Sequence, residues 1–271
     1  MTVSPQDKRA AFRRLHETGC FVLPNPSDVG SAKALQHLGF KAIASTSAGF
    51  AWSIGKADNK VNVDEVLDHL AALSSATDIP VNADFEGGFA DAPEGVGINV
   101  TRAVATGLAG LSIEDSTGDK AKPIYERSLA VARIKAARQA IDATGADVLL
   151  TGRCEAFLWG QPDLAFVIDR LTAYAEAGAD CLYAPGIKTP EEIEAVVKAV
   201  APKPVNLLIG GSGLSVRQAE ELGVRRISVG GSLARVAWAG FMRAAKEMAG
   251  QGSFTELAGG YPGGELNKMF G

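Results

Sequence analysis

Eight short apolar runs recur along the 271 residues, and longer stretches with helical amphipathic spacing separate them. Apolar runs without polar alternation indicate strands buried on both faces, as in a parallel sheet covered by helices. Since no break in composition divides the series, we predict one (β/α)₈ TIM barrel over residues 1–271, with a doubly wound open sheet as the alternative. The candidate strands are Cys20–Leu23, Ala42–Ser47, Pro80–Asp84, Gly110–Glu114, Val148–Arg153, Asp180–Tyr183, Pro204–Ile209 and Arg226–Val229.

Two helices are predicted outside the repeated units. One, Gln6–Glu17, precedes the first strand, and the other, Leu233–Ala249, follows the last. The Gly-rich tail 253–271 is expected either to fray or to pack on a neighbouring subunit, with the C-terminal helix and tail exchanged between subunits. Within the barrel, several helical stretches end in a glycine that suits a left-handed cap, namely Gly39, Gly107, Gly145, Gly178 and Gly223.

The composition argues against several classes of function. The formal net charge is −4 and the charges are interspersed, which argues against a nucleic-acid partner. No uninterrupted apolar run reaches the ~18 residues of a membrane span, and the first residues lack the apolar core of a secretory signal. The cysteines, Cys20, Cys154 and Cys181, are widely spaced, so we expect neither disulfides nor a zinc site and favour a cytoplasmic location. The three histidines are expected to be packing or surface residues.

Acidic side chains close three consecutive strands of the predicted barrel. Asp84 and Glu86 follow the third strand, Glu114 and Asp115 the fourth, and Glu155 the fifth. The carboxyl ends of barrel strands meet at one mouth, where active sites lie, so we expect these acids to surround one site. A single acid after a strand is most often a helix cap or a solvated loop residue, but the coincidence on three strands favours a shared function.

Such a cluster repels itself unless a cation lies within it. Oxygen ligands without histidine or thiolate suit Mg²⁺, with Mn²⁺ as the alternative. We predict Asp84 as a direct ligand, and Glu86 and Glu114 as ligands that bind directly or through water. Mg²⁺ could then chelate a 2-oxo carboxylate and stabilise the enolate formed when the adjacent bond breaks.

Other polar residues at strand ends are candidates for binding the substrate. Arg153, within TGRCEA, would neutralise a substrate carboxylate, and it is with Glu155 a candidate catalytic residue. The hydroxyl and backbone N–H groups of Thr46, Ser47 and Ala48 are candidates for binding a second carboxylate. Asn206 could bind substrate or only buried backbone. A phosphate site is the alternative at the glycine turns Ile209–Gly213 and Val229–Ser232.

Several segments together resemble the isocitrate lyase/phosphoenolpyruvate mutase superfamily. They are PNPSDVGSAKAL (24–35), AIASTSAGFAWSIGKAD (42–58), NADFEGGF (82–89), LSIEDS (111–116), GRCEAF (152–157) and PVNLL (204–208). The resemblance implies Mg²⁺-dependent making or breaking of a C–C or C–P bond beside a 2-oxo acid, in helix-swapped barrel tetramers. It places the metal residues on Asp84, Glu86 and Glu114, with Glu86 where the family has Asp, and it adds Asp58 as a catalytic residue.

The departures from the family limit the choice of reaction. The lyase segment K-(K/R)-C-G-H after strand four is replaced by DSTGDKAKPIYERS, and the longer segment of the C–P enzymes is absent too. We therefore predict a lyase, decarboxylase or hydrolase that cleaves a C–C bond next to a small 2-oxo (di)carboxylic acid through a metal-stabilised enolate. C–P chemistry and a non-catalytic barrel that binds an oxo acid are the alternatives, and a homo-oligomer, tetramer or dimer, is expected.

Overall fold

The eight predicted strands form one parallel sheet in the computed structural model, which describes residues 3–161, 163–211 and 213–271. Hydrogen-bonded neighbours follow the order β1-β8-β7-β6-β5-β4-β3-β2. The Ala44 N–H donates to the Pro24 carbonyl at 3.0 Å and joins the two remaining edges, so the barrel is nearly closed. The predicted (β/α)₈ TIM barrel is confirmed. The strands are β1 (Phe21–Leu23), β2 (Ile43–Ala44), β3 (Val81–Asp84), β4 (Gly110–Glu114), β5 (Leu149–Arg153), β6 (Cys181–Tyr183), β7 (Val205–Leu208) and β8 (Arg226–Ser228).

Helices alternate with the strands and cover the barrel. The five glycines predicted to end helices all have positive φ, between 69° and 106°. Thr189 caps the helix that begins at Pro190, with its side chain accepting from the Glu192 N–H at 3.2 Å. The helices are α1 (Pro5–Leu15), α2 (Val29–His37), α3 (Ser47–Ser53), α4 (Val63–Ala76), α5 (Pro93–Ala105), α6 (Arg127–Ala143), α7 (Leu164–Glu176), α8 (Pro190–Val200), α9 (Val216–Glu221), α10 (Ser232–Gln251) and α11 (Gly263–Phe270).

The extra N-terminal helix closes the bottom of the barrel. Phe12 of α1 is fully buried and packs in one cluster with Leu23 and Leu149. A Cβ atom on Gly110 would lie only 2.7 Å from the Phe12 ring, so this position of β4 requires glycine. The lower end of the barrel is therefore filled, and only the end where the strands finish remains open to a ligand.

Two features differ from the sequence-based prediction. The strand predicted over Ala42–Ser47 ends at Ala44, because Ser47 begins α3 and the Thr46 side chain caps that helix by accepting from the Gly49 N–H. The Gly-rich tail contains a 3₁₀ turn, Thr255–Gly259, and α11, neither of which the composition predicted. Among the described residues, no helix is both long and apolar enough to cross a membrane.

Two histidines, the buried His69 and the half-buried His16, give the fold a defined sensitivity to acid. His69 stacks on Phe50 at 3.9 Å between ring centroids, and burial lowers its pKa to about 4. Burial also lowers the pKa of His16, to about 3. The unfolded chain takes up a proton on each near pH ~6.5, so the stability that each neutral ring contributes is lost as pH falls below that value.

We predict that His69→Gln makes stability less dependent on pH. Between pH 7 and 5 the wild type should lose about 2 kcal/mol more unfolding free energy than this variant, because only the wild type must keep His69 neutral. Urea denaturation at the two pH values measures the difference. His37→Gln, at an exposed position, is the matched control and should follow the wild type. Parallel pH profiles for wild type and His69→Gln would contradict the prediction.

Candidate active site

Three carboxylates surround one guanidinium where β3, β4 and β5 end. Arg153 Nη1 lies 2.6 Å from Asp84 Oδ1, and Arg153 Nη2 lies 3.1 Å from Glu114 Oε2. The same Nη2 lies 2.9 Å from Glu155 Oε1, to which Nε donates at 3.1 Å. All four side chains are largely buried, with at most 19% of their surface exposed. The sequence indicated a cation among these acids, and the structure shows that Arg153 is one.

The strand register explains why these side chains meet. Glu114 of β4 lies directly beside Arg153 of β5, and alternate residues of each strand point into the barrel. Asp115, the next residue, therefore points outward, where it accepts from the Tyr174 hydroxyl at 2.6 Å and pairs with Arg170 at 3.2 Å. The expectation that Asp115 also surrounds the mouth was wrong, because adjacent residues of a strand face opposite sides.

Asp84 also connects the mouth to the start of α3. Its Oδ2 accepts from the Ser47 N–H at 3.0 Å, and its own N–H donates to Ser45 Oγ at 2.8 Å. A cavity of about 230 Å³ opens beside this contact. The predicted site residues that line this cavity, called the barrel cavity below, are Thr46, Ser47, Ala48, Asp58, Asp84, Arg153 and Asn206. Most sites for drug-sized ligands have roughly 300–1,000 Å³, so the barrel cavity suits a smaller molecule.

The remaining predicted residues lie next to the barrel cavity. Glu86 and Glu114 line a neighbouring cavity of about 350 Å³, together with part of the loop between β4 and α6. Glu155 is only 5% exposed and lies beside Arg153 without lining either cavity. Of the three predicted metal ligands, Asp84 thus lines the barrel cavity, whereas Glu86 and Glu114 line the neighbouring cavity.

Glu86, Glu114 and Asp58 have raised pKa values. Burial, followed by repulsion from Asp84 and Asp58, raises the pKa of Glu86 to about 7. Burial raises the pKa of Glu114 well above its ordinary value, although Arg153 opposes the shift. Partial burial and the charge of Asp84 raise the pKa of Asp58. In each case repulsion from neighbouring acids adds to the effect of burial, and Arg153 opposes the shift.

The acids fit a divalent cation that binds mainly through water and substrate. In the described part of the chain, no three acidic, histidine or cysteine side chains converge closely enough to hold a metal by themselves. Mg²⁺ commonly needs only one or two carboxylates, because it retains several waters. Asp84 offers a carboxylate at the barrel cavity, and the raised pKa values of Glu86 and Glu114 indicate that added positive charge there would be stabilising.

The short loop after β4 is folded against the rim. Thr117 N–H donates to the Pro123 carbonyl at 2.9 Å, and Ser116 pairs with Ile124 in an antiparallel bridge. The Trp159 indole N–H donates to Ser116 Oγ at 3.1 Å and ties this loop to the end of β5. This loop therefore forms a small hairpin beside Glu86 and Glu114.

Asn25 and Arg226 line the barrel cavity, although neither was selected from the sequence. Asn25, which closes β1, donates to the Ser45 carbonyl at 2.8 Å and accepts from the N–H groups of Val229 and Gly230 at 2.9 Å. The rule that identified the acids, a polar residue at the end of an apolar strand, also applies to Asn25. Arg226 could have been identified from the sequence because it is the charged residue of the otherwise uncharged strand Arg226–Val229.

Both polar side-chain atoms of Asn206 bind protein groups in the floor of the barrel cavity. Its Oδ1 accepts from Arg226 Nε at 2.8 Å, and its Nδ2 donates to Ser228 Oγ at 2.9 Å. Substrate contact by Asn206 stays a prediction. At the second glycine turn, Asn25 already occupies the N–H groups of Val229 and Gly230, which leaves fewer donors for a phosphate. At the first turn, Ser212 lies outside the described residues.

Comparison with known proteins identifies relatives along most of the chain. The family model described as phosphoenolpyruvate phosphomutase matches residues 12–249. A Burkholderia cenocepacia J2315 crystal structure classed as a lyase/mutase is 47% identical, covers 98% of this chain and 96% of its own, and has a TM-score of 0.94. A Mycobacterium tuberculosis H37Rv protein described as uncharacterized is 34% identical and covers 81% of either chain.

A structure with a named reaction is also similar. Oxaloacetate acetylhydrolase, solved in complex with its product oxalate, is 26% identical to this chain. The match covers 99% of this chain and 94% of that one, with a TM-score of 0.86.

We predict that Arg153→Met destabilises the fold by about 3–5 kcal/mol, because it leaves three buried carboxylates without their counter-charge. Arg153→Lys should lose less, since it keeps the charge but not the planar fork. Urea denaturation at pH 7 measures both variants. Arg127→Met, which removes an arginine from an exposed pair with Asp169, is the control and should change little. An Arg153→Met protein as stable as the wild type would show that the acids do not depend on this guanidinium.

Proposed function

Because the chain belongs to the phosphoenolpyruvate phosphomutase family, within the isocitrate lyase superfamily, we propose that it is a Mg²⁺-dependent lyase-type enzyme. Its proposed reaction cleaves a C–C bond next to a small 2-oxo (di)carboxylic acid. The observation that carries the proposal is the Arg153 cluster, which consists of Arg153, Asp84, Glu114 and Glu155. Arg153 and Asp84 of this cluster line the small barrel cavity at the open end of the barrel. The similarity to an acetylhydrolase of oxaloacetate supports the choice of an oxo diacid.

The residues of the barrel cavity have separate roles in this proposal. The hydroxyls of Thr46 and Ser47 and the N–H of Ala48 bind the carboxylate next to the oxo group. Asp84 would hold the metal directly, and Glu86 and Glu114 would bind it directly or through water. When bound, Mg²⁺ supplies positive charge beside the oxo group and so favours cleavage of the adjacent bond.

Tyr183 and Arg153 complete the proposed chemistry. The Tyr183 hydroxyl lines the barrel cavity and is the proposed donor of the proton that completes the product. Arg153 lies over the Tyr183 ring at 5.0 Å and keeps the neighbouring acids in place. Asp58, whose raised pKa places its protonation closer to neutral pH, is the proposed acid on the α3–α4 loop.

C–P chemistry is the second candidate, because the matching family model is described by a phosphomutase reaction. It differs from the first in the group next to the oxo acid, which would be a phosphonate instead of a carbon fragment. Including phosphonopyruvate and phosphoenolpyruvate among the tested substrates distinguishes the two. Tight binding of oxalate without turnover of any compound would instead favour the non-catalytic barrel.

We predict that Asp84→Asn abolishes metal-dependent turnover while the protein stays folded. The amide keeps the shape of the carboxylate but removes the charge that would hold Mg²⁺. The assay uses 2-oxo and 2-hydroxy di- and tricarboxylates, with Mg²⁺ and with EDTA, and circular dichroism checks the fold. Asp119→Asn, on the exposed part of the β4–α6 loop, is the matched control and should retain activity. Full activity of Asp84→Asn, or activity in EDTA equal to that in Mg²⁺, would overturn the proposed site.

The C-terminal helix supports the proposed homo-oligomer. Its apolar side chains are unusually exposed, with Val236 at 70% and Phe241 at 61%, and the tail adds Phe254 at 64% and Tyr261 at 64%. Large apolar patches of this kind mark association surfaces. A second copy of the chain is the proposed partner, through exchange or packing of α10 and the tail.

We predict that the double variant Val236→Glu/Phe241→Glu dissociates the oligomer, because a charge buried at an apolar contact is costly. Light scattering after size-exclusion chromatography gives the mass. Ile98→Glu, at a residue 65% exposed on α5, is the matched control and should keep the wild-type mass. A monomeric wild type, or an unchanged mass for the double variant, would contradict the proposed contact.

A further inference from the structure

A second arginine lies deeper in the barrel, below the Arg153 cluster. Arg226 of β8 is 2% exposed, and its strand register places it beside Asn206 of β7. It lines the same barrel cavity as Asp84 and Arg153. The floor of this cavity therefore carries a positive charge that the proposed reaction, as described above, does not use.

The groups bonded to the Arg226 guanidinium are neutral. Nε donates to Asn206 Oδ1 at 2.8 Å, and Nη2 donates to Thr151 Oγ1 at 3.0 Å. Nη1 lies 3.3 Å from His16 Nε2. Among the described residues, no carboxylate forms an ion pair with Arg226. This differs from Arg153, which has three acidic partners.

His16 accepts from Arg226 and adds no charge to the floor. Its Nδ1 lies 2.8 Å from the Phe12 carbonyl, which can only accept, so Nδ1 carries the proton and Nε2 offers a lone pair. Burial and the charge of Arg226 keep the ring neutral. The guanidinium has five N–H groups, and its three neutral contacts leave N–H groups available for a ligand.

A buried charge without a counter-charge is costly, and an apolar side chain would fill the inside of a barrel at less cost. An anionic ligand in the barrel cavity would supply the missing negative charge. The opposite end of this cavity carries the residues proposed to bind the 2-oxo carboxylate, so a second anionic group of the same ligand could extend to the floor.

We propose that Arg226 is a specificity-determining residue that binds the second carboxylate of a 2-oxo dicarboxylate, so that the enzyme selects dianionic over monoanionic oxo acids. This inference rests on the proposed function, because it uses the same cavity and the same oxo-acid orientation. Thr151, Asn206 and His16 position the guanidinium, and Arg226 alone contacts the second carboxylate.

Binding of two oxo acids in the presence of Mg²⁺ tests the inference. Isothermal titration calorimetry compares 3,3-difluorooxaloacetate, a dianion, with pyruvate, a monoanion. The wild type should prefer the dianion by at least about tenfold. Arg226→Gln should lose that preference because its affinity for the dianion falls while its affinity for pyruvate stays nearly unchanged. Arg226→Lys should restore part of the preference. A purely structural role would weaken both ligands alike.

Arg225→Gln is the matched control. It removes a positive charge from the adjacent position, where Arg225 donates to the Gly19 carbonyl at 2.6 Å and does not line the barrel cavity. Its preference for the dianion should equal that of the wild type. Equal loss of preference in Arg225→Gln and Arg226→Gln would show that the effect depends only on net charge, and this would overturn the inference.

Two outcomes separate this inference from the proposed function. If the wild type binds neither oxalate nor difluorooxaloacetate with Mg²⁺, the proposed function fails and the inference fails with it. If it binds oxalate but does not prefer the dianion over pyruvate, only the inference fails. A wild type without this preference overturns the inference even if Arg226→Gln does not fold, and Arg226→Lys then serves as the variant in a wild type that has it.

Discussion

The ion pairs of the Arg153 guanidinium are the interactions on which the open end of the barrel depends. Three largely buried carboxylates, Asp84, Glu114 and Glu155, approach it from the ends of three strands, and without it they would repel one another. Burial and repulsion between neighbouring acids raise the pKa values of Glu86 and Glu114, although Arg153 opposes both shifts. A site that has one fixed cation and an excess of acid is suited to accept a second, exchangeable cation.

Asp84 links this charge cluster to the rest of the cavity. One of its oxygens pairs with Arg153 and the other accepts from the Ser47 N–H, so the acid also sets the position of α3. Below it, Asn206 and Arg226 form a polar floor. The cavity is thus acidic at its mouth and positively charged at its floor. This arrangement favours a small ligand whose anionic group lies toward the floor.

The sequence predicted the barrel well because apolar strand runs and glycine-capped helices are local signals. It also predicted which strand ends carry charge, since a polar residue directly after an apolar run is visible without a structure. It did not predict that Asp115 points away from the mouth, since the two neighbouring acids of β4 look equivalent in the sequence. The same limit hid the division of the predicted metal residues between two cavities, because that division depends on the path of the β3 and β4 loops.

The sequence by itself determined the eightfold order of strands and helices, the positions of the acids at the strand ends, and Arg153 among them. Only the tertiary structure decided which of those groups meet. Pairing of Arg153 with acids from three strands, and of Arg226 with neutral groups alone, depends on strand register and on closure of the barrel. Except for the Arg153–Glu155 pair, these contacts join residues far apart in the chain. Their free energy arises only when folding removes the charged groups from water together.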